Sequence, residues 1–82
     1  MLEFIEFFED EIKKFHLKIV ANIKRIRKMK KISQLDLVLT IGHKSVSTIA
    51  KIEANLENKH YNIEHLYKIS KVLDVDICEF FK

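Results

Sequence analysis

Two short apolar patterns on either side of the chain's only glycine constrain the fold more than any other feature. From Ser33 to Ile41, apolar residues recur at helical spacing, and Gly42 follows directly. A second stretch, residues 45–55, places Ile49 and Ile52 three positions apart, so that they share one face of a helix. The spacing predicts two short helices that are joined by a tight turn.

The second of these helices has an outward face without any carboxylate, so nothing on it repels phosphate. Ser and Thr can bond to several bases, a Val can touch a thymine methyl group, and a Lys can bond to guanine. We therefore expect this helix to enter the major groove of DNA. The residues expected to read bases are Lys44, Val46, Ser47, Thr48 and Lys51.

The order of residues across both helices resembles the phage repressor and Cro-type (XRE-like) helix-turn-helix family. The matching residues are Ser33-Gln34, Leu37, Gly42, Ser47-Thr48-Ile49 and Lys51-Ile52-Glu53. The resemblance covers roughly residues 19–81 and implies a five-helix domain that binds double-stranded DNA and regulates transcription. The chain has one residue more between Gly42 and Ile49 than the family usually has. Where the family often has Gly, this chain has Lys31, Asn55 and Asp74.

The resemblance also implies roles for residues outside the two short helices. It pairs Arg27 with Glu53 as a structural ion pair that ties the first helix to the end of the recognition helix. It also lets Lys59 and His60 reach the DNA backbone. Together with the helix start at Gln34 and the basic run before it, the expected phosphate contacts are Gln34, Ser45, Lys28, Lys30, Lys31, Lys59 and His60.

Composition limits the chain to one small helical domain. It has 82 residues, no Pro and a single Gly, which favours an all-α fold over tight-turned β architecture. One Cys cannot form an intramolecular disulfide and fits a reducing compartment, so we expect a cytoplasmic protein. The DNA binding that the resemblance implies would associate it with the nucleoid. No long uncharged apolar run is present, and no membrane association is expected.

The charge is distributed very unevenly along the chain. Residues 1–12 hold five acids and no bases, whereas residues 13–31 hold nine bases and no acids. This polarity predicts one surface that faces a polyanion and another that is turned away from it.

An aromatic stripe marks residues 1–15 as an amphipathic extension of the domain at 16–82. Its apolar residues alternate steps of three and four, which predicts a helix: Ile5, Phe8, Ile12, Phe15 and Ile19. The extension either packs on its own domain or forms a homodimer interface, and the number of exposed aromatics favours the dimer. A continuous helix from 2 to 30 would overhang a small domain, so we expect a bend near residues 13–16 or a protruding arm.

The rest of the chain completes a five-helix architecture. Asn62 is expected to cap a fourth helix, Ile63 to Leu73, with Ile63 on its buried face, and Asp76 is expected to cap a short fifth helix. Cys78, beside apolar residues, is expected to be a small core residue.

No catalytic, metal or cofactor chemistry is expected. The four histidines have no metal-ligand spacing with one another or with Cys78, and no Gly-rich phosphate loop occurs. The prediction is therefore a homodimeric regulator and not an enzyme. Three alternatives keep the same fold: the antitoxin of a toxin–antitoxin pair, which would grip its toxin through the N-terminal helix, the control protein of a restriction-modification locus, and a protein-interaction module.

Overall fold

The computed structural model describes residues 7–42 and 46–82, and the regular structure within these ranges is entirely helical. This confirms the predicted all-α class. The elements are α1 (Glu9–Met29), α2 (Gln34–Ile41), α3 (Val46–Glu53), α4 (Ile63–Leu73) and a 3₁₀ helix (Ile77–Phe81). The predicted fifth helix is therefore a 3₁₀ helix.

Side-chain caps begin three of these elements, as the sequence predicts. The Ser33 hydroxyl accepts a bond from the Asp36 amide, and the Asn62 side chain accepts one from the His65 amide. The Asp76 carboxylate accepts a bond from the amide of Cys78. This bond is the main reason why the pKa of Asp76 lies below its ordinary value. The expected cap of α3, Ser45, lies outside the described residues.

Three helices end in the same left-handed turn at the positions where the family often has Gly. Lys31, Asn55 and Asp74 have φ angles of 59°, 60° and 54°. In each turn the amide of the following residue bonds to the carbonyl five positions earlier, the bonding pattern of a Schellman motif: Ile32 to Arg27, Leu56 to Lys51 and Val75 to Ser70. The chain therefore forms these left-handed turns without glycine, at the cost of a strained conformation.

One hydrophobic core is shared by all the elements. Ile23, Leu37, Ile69, Leu73 and Phe80 have no accessible surface. Ile49 and Ile52 of α3, 1% and 2% exposed, belong to the same cluster. Helix α3 is thus held to the domain by the two residues that its spacing places on one face.

The first helix runs without interruption through the region where a bend was one expectation. Helix α1 extends from Glu9 to Met29, so the prediction of a bend near residues 13–16 is wrong. The helix begins at Glu9 and not near residue 2. Every residue from 7 to 15 is exposed, whereas Ile19 and Val20 are buried. We call residues 7–15 the N-terminal arm. Residues 1–6 of the predicted extension lie outside the described residues, and the proposed domain boundary at 15/16 falls inside α1.

Two predicted core residues lie on the surface. Ile63 is 79% exposed, because it is the first residue of α4, where the helix has not yet turned its apolar face onto the core. Cys78 is also exposed, since the 3₁₀ helix turns Phe80 into the core and Ile77 against it and leaves Cys78 on the outer side. The Asp76 carboxylate raises the pKa of the Cys78 thiol, which keeps this exposed thiol poorly nucleophilic.

Candidate nucleic-acid interface

The candidate interface is built around α3, whose position is fixed at its C-terminal end by a buried ion pair. The Arg27 guanidinium donates two bonds to Glu53, from Nε to Oε2 at 2.8 Å and from Nη2 to Oε1 at 2.7 Å. Both side chains are buried, at 8% and 2% exposure. A parallel two-bond contact of this kind fixes orientation as well as distance.

Two further bonds extend the ion pair into a network that joins α1, α2 and α3. Arg27 Nη1 donates to the carbonyl of Ile32 at 2.7 Å, and Gln34 Nε2 donates to Glu53 Oε1 at 2.9 Å. Burial by itself would raise the pKa of Glu53, but the bonds from Arg27 and Gln34 outweigh it and hold that pKa below the ordinary value. Glu53, on α3, is therefore held as a carboxylate that accepts from donors on α1 and α2.

The network brings the basic segment 28–31 into a fixed relation with α3. Arg27 and Ile32, which flank this segment, are both bonded within the network, while Lys28, Lys30 and Lys31 are exposed. The three lysines that were expected to contact phosphate therefore lie on a backbone segment whose position relative to α3 is fixed.

Gln34, a predicted phosphate contact, has a structural role in the described chain. One of its amide N–H groups donates to Glu53, and the side chain is half-buried. Its second N–H and the helix N-terminus are the groups left for a phosphate.

The outward residues of α3 differ in exposure more than the sequence predicts. Ser47 is exposed, Thr48 and Lys51 are half-buried, and Val46 packs against the core cluster. Lys51 Nζ lies 3.2 Å from Glu57 Oε2 in the following loop. Sequence reasoning missed Glu57 because its approach depends on left-handed turns at Asn55 and Glu57. Lys44 and Ser45, the other predicted contacts near the start of α3, lie outside the described residues.

The loop after α3 contacts the first helix through a pair of histidines that the sequence did not predict. The rings of His16 and His60 stack with centroids 3.9 Å apart and an interplanar angle of 15°. Burial lowers the pKa of His16, and the neighbouring His60 lowers it further. His60, a predicted phosphate contact, is therefore held against α1, while Lys59 beside it is exposed.

Tyr61, at the end of this loop, is buried near the ion pair. Burial raises the pKa of its hydroxyl, and the charge of Glu53 raises it further. Among the described residues no hydrogen-bond partner lies within reach of this hydroxyl. Tyr61 is therefore a buried packing residue with a neutral hydroxyl.

Comparison with known proteins assigns this arrangement to a family. A family model described as helix-turn-helix matches residues 23–80, most of the chain. The chain belongs to the XRE-like helix-turn-helix family. The predicted resemblance, over residues 19–81, is confirmed.

A solved structure supports the same assignment. The N-terminal DNA-binding domain of SinR from Bacillus subtilis is 34% identical to this chain, with a TM-score of 0.69. The match covers 82% of this chain and 94% of the SinR domain. The search of curated proteins returned no match.

None of the helices in the described ranges is long and apolar enough to cross a membrane. Within the same ranges, no three His, Cys, Asp or Glu side chains are grouped to hold a metal ion.

Proposed function

We propose that this protein is a sequence-specific, double-stranded DNA-binding transcription regulator that acts as a homodimer and reads the major groove with α3. The observation that carries the proposal is the Arg27–Glu53 network, which fixes a carboxylate-free outward helix face relative to exposed lysines. A binding surface needs this fixed relation, because phosphate contacts set the register in which side chains meet the bases. Membership of the family and the DNA-binding role of the SinR domain support it.

The proposal assigns affinity to the basic segment and to the loop after α3. The exposed lysines of these two elements would neutralise backbone phosphates and release counterions, which makes the binding strongly salt-dependent. The residues assigned to phosphate are Lys28, Lys30, Lys31, Gln34, Ser45, Lys59 and His60.

The proposal assigns specificity to the start and outer face of α3. Ser47 and Thr48 present hydroxyls that donate to or accept from base edges, and Lys51 presents an ammonium for guanine. Lys44 and Val46 complete the set, and the packing of Val46 on the core leaves it only a partial contact with DNA.

A second candidate function keeps the same DNA-binding surface and adds a protein partner. The exposed aromatics of the N-terminal arm favour it, since Phe7 is 71% and Phe8 61% exposed. An antitoxin would bind its toxin through an exposed apolar surface of this kind. Either function places the protein in the cytoplasm, bound to the nucleoid.

Selection from random duplexes tests the proposal. The full chain is incubated with a random-sequence library, bound DNA is amplified over several rounds, and the enriched site is footprinted. A two-fold dimer predicts an inverted repeat whose half-sites lie about 34 Å apart, one helical turn. No enrichment would overturn sequence-specific reading, and a single asymmetric site occupied by one monomer would overturn the homodimer.

A further inference from the structure

The N-terminal arm continues an apolar face that the domain covers only in part. Ile12, Phe15 and Ile19 are spaced by three and four residues, so they lie on one side of α1, and Phe8, the residue before the helix, precedes Ile12 by four positions. Exposure falls along this stripe from 61% at Phe8 through 48% and 53% to 5% at Ile19. The stripe is core at Ile19 and partly covered at Phe15, whose ring stacks on Phe81 with centroids 6.0 Å apart. It is open to solvent at Phe8 and Ile12.

The charges beside the open stripe are ordered so that a second arm can complement them. Residues 9–11 are all acidic, and residues 13 and 14 are both basic. Two arms side by side in the same direction would place acids against acids and bases against bases. Two arms in opposite directions place the acids of each against the bases of the other, which is the favourable arrangement.

We propose that the N-terminal arm is the homodimer interface, formed by antiparallel packing against the arm of a second copy about a two-fold axis beside Ile12. This inference deepens the proposed function by naming the surface that pairs two α3 helices. It rests on the homodimer of the proposed function, but its test needs no DNA, so its failure leaves sequence-specific reading by α3 to be tested separately.

The helical period fixes the register of the pair. When the two-fold axis passes beside Ile12, the numbers of two residues that face each other across the interface add to about 24. Phe8 of one copy therefore lies opposite the Phe15 region of the second copy. Glu11 and Lys14 project from the same flank of the stripe, and Glu9 and Lys13 project from the other flank. Each flank therefore pairs a carboxylate of one arm with an ammonium of the other.

Charge reversal tests the interface in the full chain. The positive-arm variant carries Glu9→Lys and Glu11→Lys, and the negative-arm variant carries Lys13→Glu and Lys14→Glu. All four positions are exposed, so the fold is retained, and circular dichroism checks this. Sedimentation should show a wild-type dimer, a dissociation constant raised roughly tenfold or more for each variant alone, and a restored dimer in the equimolar mixture.

The control reverses charges away from the arm. Glu64→Lys with Lys68→Glu exchanges an exposed ion pair on α4 and should leave the dimer intact. A monomeric wild type, or charge variants that dimerise as the wild type does, would overturn the proposal.

Cysteine cross-linking tests the direction of the two arms. In a Cys78→Ser background, a Phe8→Cys protein and a Phe15→Cys protein should cross-link to each other and not to themselves. Self-linking of Phe8→Cys would mean parallel arms and would overturn the antiparallel arrangement.

Discussion

Arg27 and Glu53, separated by 25 residues in the sequence, form a buried two-bond ion pair with N–O distances of 2.7 and 2.8 Å. The pair joins the first helix to the end of the recognition helix, and Gln34 joins α2 to the same carboxylate. The geometry that a DNA-reading helix needs is thus set inside the domain and not at its surface.

Removal of one partner of this pair should be strongly destabilising. Arg27→Ala leaves the Glu53 carboxylate buried without its counter-ion, and the free energy of unfolding should fall by roughly 3 kcal/mol. Arg25→Ala on the same helix is the matched control, because Arg25 is exposed and should change stability little. Urea unfolding of Arg27→Ala, Glu53→Ala and the double variant gives the coupling energy, and a coupling near zero would remove the pair from the account.

The left-handed turn at Lys31 should make this position prefer Gly. With φ at 59°, the Lys31 side chain costs conformational energy that Gly does not. Lys31→Gly should raise the free energy of unfolding by about 0.5–1 kcal/mol, after the extra chain entropy of Gly is allowed for. Lys30→Gly is the control, since Lys30 has an ordinary φ of −89° and should lose stability. Equal losses at both positions would contradict the strain argument.

Glu57 should weaken DNA binding by holding Lys51. The pair is largely exposed, so it contributes at most about 1 kcal/mol and is readily released. Glu57→Gln should tighten binding to the enriched duplex several-fold, and the gain should be smaller when Lys51 is already Ala. Glu64→Gln removes a similarly exposed, paired carboxylate from α4 and serves as the control. If both glutamate variants gain affinity equally, the effect is net charge and not release of Lys51.

The stacked histidines should make stability depend on pH below the ordinary histidine range. The pKa of His16 is lowered in the folded chain by burial and by His60, so the unfolded chain binds the proton more strongly. The contribution of His16 to the free energy of unfolding is therefore fully present above a pH of about 6.5 and is lost as the pH falls below that value. Thermal unfolding between about pH 8 and about pH 5.5 should show a steeper acid loss for the wild type than for His16→Asn. Parallel curves would mean that the titration of His16 is not coupled to folding.

Local signals in the sequence predicted much of the fold. The caps at Ser33, Asn62 and Asp76 were predictable because each depends on residues within three positions of it. Helical periodicity identified the buried face of α3 for the same reason. The exposure of Ile63 was not predictable, since periodicity shows which residues share a face and not where a covering element ends.

The candidate site was predictable only where the family supplied a pairing. The Arg27–Glu53 contact came from the resemblance and not from spacing. The His16–His60 stack joins residues 44 positions apart, and no local pattern signals it. The Lys51–Glu57 contact depends on the backbone path of a loop with three left-handed residues, Asn55, Glu57 and Asn58, which side-chain chemistry alone did not reveal.

The most direct test of the account is a salt titration of two lysine variants on two duplexes. Lys51→Ala removes the ammonium assigned to base edges, and Lys30→Ala removes one assigned to phosphate. Affinities are measured by fluorescence anisotropy on the enriched duplex and on a scrambled one. Lys51→Ala should weaken the enriched duplex by about 1–3 kcal/mol and leave the scrambled duplex less affected. Lys30→Ala should weaken both alike and reduce the salt slope by about one. If Lys51→Ala lowers both affinities by the same factor, Lys51 contacts only the backbone, which contradicts its place as a base-reading residue of α3.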